Sequence, residues 1–175
     1  MANFKLSKAD IQLLFELLDA ELARRDIHGE VYLVGGAVMC LALDAREATR
    51  DVDAFFRPAR VIREAAASVA VAAGVPDTWL IEAVKGYLSP RGDFDPYLEL
   101  EHLRVFVARP EYLLAMKCAA MRIGEEFHDI DDIRYLLRFL NISTSREALD
   151  NVRRYFDEEQ IPPKTRFALD EMLGG

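Results

Sequence analysis

Leu33–Phe56 reads LVGGAVMCLALDAREATRDVDAFF. An apolar run closes on Gly35-Gly36, a short apolar segment long enough for two helical turns follows, and a second apolar run carries Asp51 and Asp53 one residue apart. In an extended strand, residues i and i+2 project to the same face, so the two carboxylates are expected to stand together, with Val52, Phe55 and Phe56 anchoring the strand. Like charges at that spacing repel, and burying them makes this worse. A cation removes both costs. Mg²⁺ takes oxygen ligands from one or two carboxylates and fills the rest of its shell from phosphates and water. Glycine, lacking Cβ, lets the backbone approach a ligand closely, and the N–H groups opening the Ala37–Leu43 segment favour a phosphate there. Gly35-Gly36 therefore reads as a phosphate cradle and Asp51/Asp53 as a metal platform, the two halves of a phosphoryl-transfer site. Taken separately, a Gly-Gly turn and a solvated Asp-x-Asp edge need no chemistry. Their pairing across one helix is what points to function.

Outward from this stretch, SKADIQLLFELLDAELARRDIHG opens with a capping box, Ser7 with Asp10. Ile11, Leu14, Leu18 and Leu22 continue it at helical spacing, and Gly29 is read as the stop. EVYLVGG reads as a strand and RDVDAFF as another. ARVIREAAASVAVAAG reads as a helix ending at Gly74, DTWLIEAVKGYLS as a shorter helix, and PRGDFDP as a loop. YLELEHLRVFVA reads as two strands or one bent strand. RPEYLLAMKCAAMRIG is a helix with Pro110 in its first turn and Gly124 at its end. HDIDDIRYLLRFLN is amphipathic through Ile130, Ile133, Leu137 and Leu140. REALDNVRRYFDEEQ, with Ser145 as cap, and PKTRFALDEML are terminal helices. The order αβαβααββαααα predicts an α/β fold, a small mixed sheet flanked by helices. The predicted division is a core over 1–142 and a C-terminal helical extension over 143–175.

The 175 residues are 51% hydrophobic and 30% charged, the balance of an ordinary globular chain. A net charge of −8 argues against general DNA binding, which needs Lys and Arg to neutralise phosphates. No run approaches membrane-span length, and the first residues carry no apolar signal core. With two cysteines, Cys40 and Cys118, in apolar segments, the expectation is a cytoplasmic protein without a disulfide framework. His28, His102 and His128 lack metal-ligand spacing, and no nucleophilic triad or zinc pattern is present.

Hydrophobic-Gly-Gly, a helix, then Thr49-Arg50-Asp51-Val52-Asp53 resembles the nucleotidyltransferase superfamily that includes DNA polymerase β, tRNA CCA-adding enzymes and antibiotic nucleotidyltransferases. The nearer likeness is to small bacterial members of the AbiEii toxin type. In these, a lysine-bearing helix and a D-x-x-D helix follow, here LLAMKCAAMR with Lys117 and HDIDDI with Asp129 and Asp132. The resemblance spans roughly Val31–Phe56 and Arg104–Leu140. It implies the nucleotidyltransferase fold and Mg²⁺-dependent transfer of NMP from an NTP to an acceptor: tRNA, protein or a small molecule. It also implies a possible place as the toxin of a toxin–antitoxin pair, with an antitoxin protein as partner. Under it, Asp51 and Asp53 hold the metal, and Gly35, Gly36, Thr49, Arg50, Lys117 and Asp132 bind nucleotide. Arg46 and Arg50 sit at the mouth of the site, or are solvated loop residues.

The family's third carboxylate is usually Asp. Here Glu99, sharing a strand face with Glu101, is the candidate, although a Glu alternating with leucines is more often the wet side of a half-buried strand. Lys117 shares the apolar stripe of Leu113, Leu114 and Met121, so it snorkels, serves the triphosphate or the Asp51/Asp53 pair as a catalytic residue, or pairs structurally with Asp129 or Asp132. Asp129 reads as an N-cap with Asp132 in the first turn. A catalytically silent nucleotide-binding or protein-interaction module and an antibiotic nucleotidyltransferase are the alternatives.

Overall fold

The computed structural model describes residues 4–83, 88–121 and 129–174. The chain divides into two compact units, Met1–Ala83 with Phe94–Ala108, and Val84–Asp93 with Arg109–Gly175. The boundary expected at 142/143 falls inside the second unit.

The first unit is built on a mixed sheet. Its strands are β2 (Gly29–Val34), β4 (Val52–Arg57), β5 (Leu80–Glu82), β6 (Phe94–Glu99) and β7 (Leu103–Ala108), in the order β5-β4-β2-β7-β6. β2 is antiparallel to β4 and parallel to β7, while β5 runs parallel to β4, and β6 antiparallel to β7. Helices α1 (Lys8–Arg24), α2 (Gly36–Leu41) and α3 (Ala59–Ala73) complete the unit. A two-residue ladder joins β1 (Leu6–Ser7) to β3 (Ala48–Thr49).

Strand alternation decides which face is core. Val31, Leu33, Val52, Ala54, Phe56, Val105 and Val107 are buried, and α1 and α3 pack together behind them, Phe15 meeting Trp79 edge-on. Full burial of one such aliphatic side chain is worth about 1.5–3 kcal/mol, so a one-residue slip of β4 would forfeit several at once. The opposite face carries Tyr32, Phe55, Phe94 and Phe106, half-buried, with Tyr32 stacked on Phe106 at 4.7 Å between ring centroids. Phe55 therefore shares the aspartates' face and does not anchor the strand in the core. Guanidiniums of Arg57 and Arg104 lie over these rings.

The α1 capping box forms as expected: Ser7 Oγ accepts from the Asp10 N–H, and the Asp10 carboxylate accepts from the Ser7 N–H. Ile11, Leu14, Leu18 and Leu22 are buried. Gly29 is not the stop. The helix ends at Arg24, Asp26 turns the chain at φ 55°, and Gly29 belongs to β2. A Cβ there would stand 2.5 Å from Ile62 Cδ1 and 3.1 Å from Leu22 Cδ1, so close approach by α1 and α3 explains the glycine. Gly74 caps α3 in the left-handed region, as predicted.

The short helix expected over DTWLIEAVKGYLS is corrected. Leu80–Glu82 is a strand, fixed by Val52 N–H to the Trp79 carbonyl and Ala83 N–H to the Ala54 carbonyl, both 2.7 Å. Trp79 is fully buried and donates its indole N–H to the Ala66 carbonyl at 3.0 Å. Tertiary pairing overrides local helical pattern here. Residues 84–87 of that segment lie outside the described residues, as do Gly124 and His128. PRGDFDP is a loop only to Asp93, because Phe94 opens β6; the strand pair expected around Glu101-His102 is present as β6 and β7.

The second unit holds α4 (Pro110–Ala119), α5 (Asp129–Phe139), α6 (Ser145–Arg153) and α7 (Pro163–Leu173) among its described residues. Pro110 occupies the first turn of α4, as expected. On α5, Ile133, Leu136 and Leu137 are buried, while Ile130 and Leu140 are only half-buried. The cap of α6 is Thr144, not Ser145: Thr144 Oγ1 accepts from the Glu147 N–H at 3.1 Å, and Ser145 is the first helical residue. The expected REALDNVRRYFDEEQ helix stops at Arg153, and Glu158–Gln160 forms a separate 3-10 turn. Buried Thr165 donates to the Cys118 carbonyl at 2.6 Å, and Asn151 donates to the Glu111 carbonyl at 2.9 Å, fastening α7 and α6 to α4.

Glu158 bonds Arg153 and Arg166, which hold its carboxyl down to about 2 from an ordinary 4.5. A depressed carboxyl contributes stability above the unfolded value and loses it as pH falls through the folded one. Glu158→Gln should therefore be slightly less heat-stable than the parent above pH about 4.5, with the gap closing toward pH 2. The exposed setting keeps the gap small. Thermal melts of both proteins across that range check it.

Candidate functional site

The turn from β2 into α2 and the strand β4 meet in the first unit. Val34 is the register partner of Asp53, and Ile81 flanks Asp53 on its other side. Gly35 takes φ 77°, ψ −149°, a conformation that L side chains rarely adopt. A Cβ on Gly35 would stand 3.1 Å from Asp53 Oδ2. A Cβ on Gly36 would stand 2.7 Å from Arg46 Nη1 and 3.2 Å from Thr49 Oγ1. The glycines thus leave room for a carboxylate, a guanidinium and a hydroxyl that converge on one turn.

Each partner is positioned from a different part of the chain. Asp53 lies within β4, half-buried, between buried Val52 and Ala54; Asp51 immediately precedes the strand and is also half-buried. Thr49 is buried, paired with Leu6 in the β1–β3 ladder, and donates to the Asp51 carbonyl at 3.1 Å. That bond fixes the backbone from which the Asp51 side chain departs. Arg46 comes from the loop between α2 and β3, whereas Arg50 is exposed on the bend before Asp51.

Gly35, Gly36, Thr49 and Asp53 are therefore brought together, with Asp51 adjoining along the chain. Arg46 joins them through the room left at Gly36, a closeness that sequence spacing could not supply. Glu99 is not brought in. It pairs in register with Arg104, which faces Glu30 and then Arg57 across the sheet. That row is four residues from Asp53 along β4 and three strands away, about 13 Å along and about 14 Å across. The Glu99 side chain is 79% exposed, with Arg104 Nε at 3.8 Å. Glu99 is thus a sheet-corner residue, and its alternation with leucines reflects a half-buried edge strand.

Lys117, Asp129 and Asp132 belong to the second unit and form a buried cluster. Lys117 Nζ lies 2.9 Å from Asp132 Oδ2 and 3.7 Å from Asp129 Oδ1, with side chains 10%, 6% and 6% exposed. Lys117 therefore does not snorkel to solvent. Asp129 stands inside the first turn of α5 with Asp132, not ahead of the helix as an N-cap. Cys118 is buried, and burial pushes its thiol up to about 12, which removes it as a nucleophile.

Two carboxylates beside a glycine turn suit a hard divalent cation whose other oxygens come from a phosphate-bearing ligand. Among the described residues, no group of three or more His, Cys, Asp or Glu side chains is arranged to hold a metal ion by itself. No described helix is long and apolar enough to cross a membrane.

Gly36→Val puts two γ-methyls where Arg46 and Thr49 stand. Displacing a flexible guanidinium costs little, so stability should fall by about 1–3 kcal/mol, the range for overpacking. If a phosphate-bearing ligand seats on this turn, the affinity lost should exceed the fold stability lost. Melting curves beside nucleotide titrations check the order of the two effects.

Comparison of the chain with protein-family models, with curated proteins and with solved structures returned no match.

Proposed function

We propose that the first unit binds Mg–NTP and transfers its nucleoside monophosphate to an acceptor nucleophile. The convergence of Asp53, Arg46 and Thr49 on Gly35-Gly36 carries this reading. A glycine pair that merely turned the chain would not need an acidic, a basic and a hydroxyl side chain all directed at it. Asp51 and Asp53 would hold Mg²⁺, which when bound neutralises phosphate charge. Backbone at Gly35-Gly36 admits the phosphates closely, Arg46 balances their charge, and Thr49 keeps the Asp51 backbone in place. In the reaction, the acceptor oxygen forms a bond to the α-phosphorus. The bond from that phosphorus to the bridging oxygen breaks, and pyrophosphate leaves with the electron pair. The acceptor's proton passes to a neighbouring carboxylate or to water.

The test is incorporation of label from α-labelled NTPs with and without Mg²⁺. Labelled product that requires both Mg²⁺ and Asp53 supports the reading. Absence of Mg²⁺-dependent nucleotide binding in thermal shift would end it.

A second reading, a nucleotide-binding module without transfer, is favoured by one observation: Glu99 stands at the far corner of the sheet and supplies no third carboxylate. Mg²⁺-dependent NTP binding without label transfer to any acceptor supplied would select it.

A further inference from the structure

β2 and β7 run parallel, with Gly29 the register partner of Leu103, and the Gly29 N–H donates to the His102 carbonyl at 2.8 Å. One residue back along both segments, His28 therefore stands beside His102. Register neighbours on adjacent parallel strands lie about 4.8 Å apart and project to one side. The two imidazoles follow that rule: their ring centroids are 4.7 Å apart, with the planes tilted by 47°. His28 is exposed, while His102 is half-buried, and its Nδ1 is closed off from solvent without a hydrogen-bond partner among the described residues. A buried nitrogen left unpaired is costly, and coordination of a metal ion would remove that cost. The Asp19 carboxylate accepts the His102 backbone N–H at 2.7 Å, which fixes the turn and puts a negative charge close by. Spacing along the chain shows no ligand pattern for these histidines; strand register alone brings them together.

We propose that His28 and His102 form a chelate for a divalent transition metal ion of the Ni²⁺, Cu²⁺ or Zn²⁺ class. Imidazole suits these metals, whereas Mg²⁺ prefers carboxylate and water. Two imidazoles sharing one metal at about 2.0–2.1 Å per nitrogen have ring centres about 4.5–5.2 Å apart for angles from square to tetrahedral. The observed 4.7 Å falls inside that range. Water fills the remaining positions on the ion. Because β2 spans Gly29–Val34 between His28 and the glycine turn, the site stands about 20 Å from that turn and is separate from it. Its effect is on the fold. A bound ion joins the entrance of β2 to the turn between β6 and β7, and by binding only the folded unit it stabilises that unit.

The test uses the full chain without any histidine tag and Ni²⁺ as the probe, read by titration calorimetry. Millimolar Mg²⁺ in the buffer occupies hard carboxylate sites without displacing a metal from imidazole. A saturable isotherm with one ion per chain is expected. His28→Gln and His102→Gln should each weaken it about a hundredfold, the advantage that a second tethered ligand brings. His128→Gln, at the chain's other histidine, should leave it unaltered. Ni²⁺ should raise the melting temperature of the parent and of His128→Gln, but not of either pair variant. Cu²⁺ should bind more tightly than Ni²⁺, and Mn²⁺ more weakly. The hydrogen bonds of His102 named above belong to its backbone, so His102→Gln is expected to fold. If it does not, exposed His28→Gln decides the matter alone. No saturable isotherm, a loss in His128→Gln equal to that in the pair variants, or a folded pair variant that binds as the parent does would overturn the proposal.

Discussion

Lys117→Met is expected to destabilise the second unit by about 3–5 kcal/mol, the range for removing one partner from a buried ion pair. The change keeps the length and apolar body of the side chain and deletes only the charge. What it leaves behind decides the outcome. Asp132 and Asp129, each 6% exposed, lose the ammonium at 2.9 and 3.7 Å and face each other's charge across one turn of α5. For a chain of this size, the change corresponds to a drop of roughly 10 °C in melting temperature. Adding Asp132→Asn should recover part of the loss by removing the stranded charge, and the coupling measured in such a cycle should reach about 0.5–3 kcal/mol. Chemical denaturation of the single and double variants measures both values. Full stability in Lys117→Met, together with label transfer reduced by one to three decades, would instead give the lysine to the triphosphate.

Under the proposed function, Asp53→Asn is expected to act in the opposite way, leaving the fold and removing nucleotidyl transfer. Asparagine fills the same space between Val34 and Ile81, so the protein without metal should stay within about 1 kcal/mol of the parent. The variant leaves one carboxylate for the proposed cation where the parent offers two. Label transfer should fall by about two to three decades, comparable with deleting one group aimed at developing charge. Mg²⁺-dependent thermal stabilisation by NTP should disappear with it. Equal stabilisation of variant and parent would remove the metal from Asp53.

The parts of the fold that could be read from the sequence are those decided by local chemistry. The Ser7–Asp10 capping box, the glycine stop of α3 and Pro110 opening α4 depend on residues within one or two turns, and each is found. The strand β5 was hidden because its three residues acquire extended structure only by pairing with β4, which no local pattern records. Thr144 displaced Ser145 as cap because adjacent hydroxyl residues compete for one N–H, and backbone angles choose between them. Asp53 lies within β4 and Gly35-Gly36 at the β2–α2 junction, as the sequence pattern predicts, whereas Asp51 precedes the strand, so alternation does not fix its direction. Arg46 was placed at the mouth of the site by the family resemblance alone, and its approach to Gly36 depends on the folded loop. Glu99 could be placed only by register, since its spacing fits an edge strand and a third carboxylate alike. Lys117 was recognisable as a lysine in an apolar stripe with Asp129 and Asp132 among its candidate anions, and the fold pairs it with those two.

The β1–β3 ladder gives the site a folding history. Leu6 pairs with Thr49, and Thr49 in turn fixes the Asp51 backbone, while Asp53 is bracketed by Val34 and Ile81. Closing such loops costs entropy before any contact repays it. Local helices can therefore form while the carboxylates still lie on an unpaired segment, with no turn beside them and no hydroxyl behind them. Metal and nucleotide would meet a competent site only after chain segments far apart in sequence have joined, so their binding energy adds directly to the stability of the completed unit. Under the proposed function, a chain caught partway through folding would be unable to capture nucleotide, and capture would in turn protect the finished unit from opening.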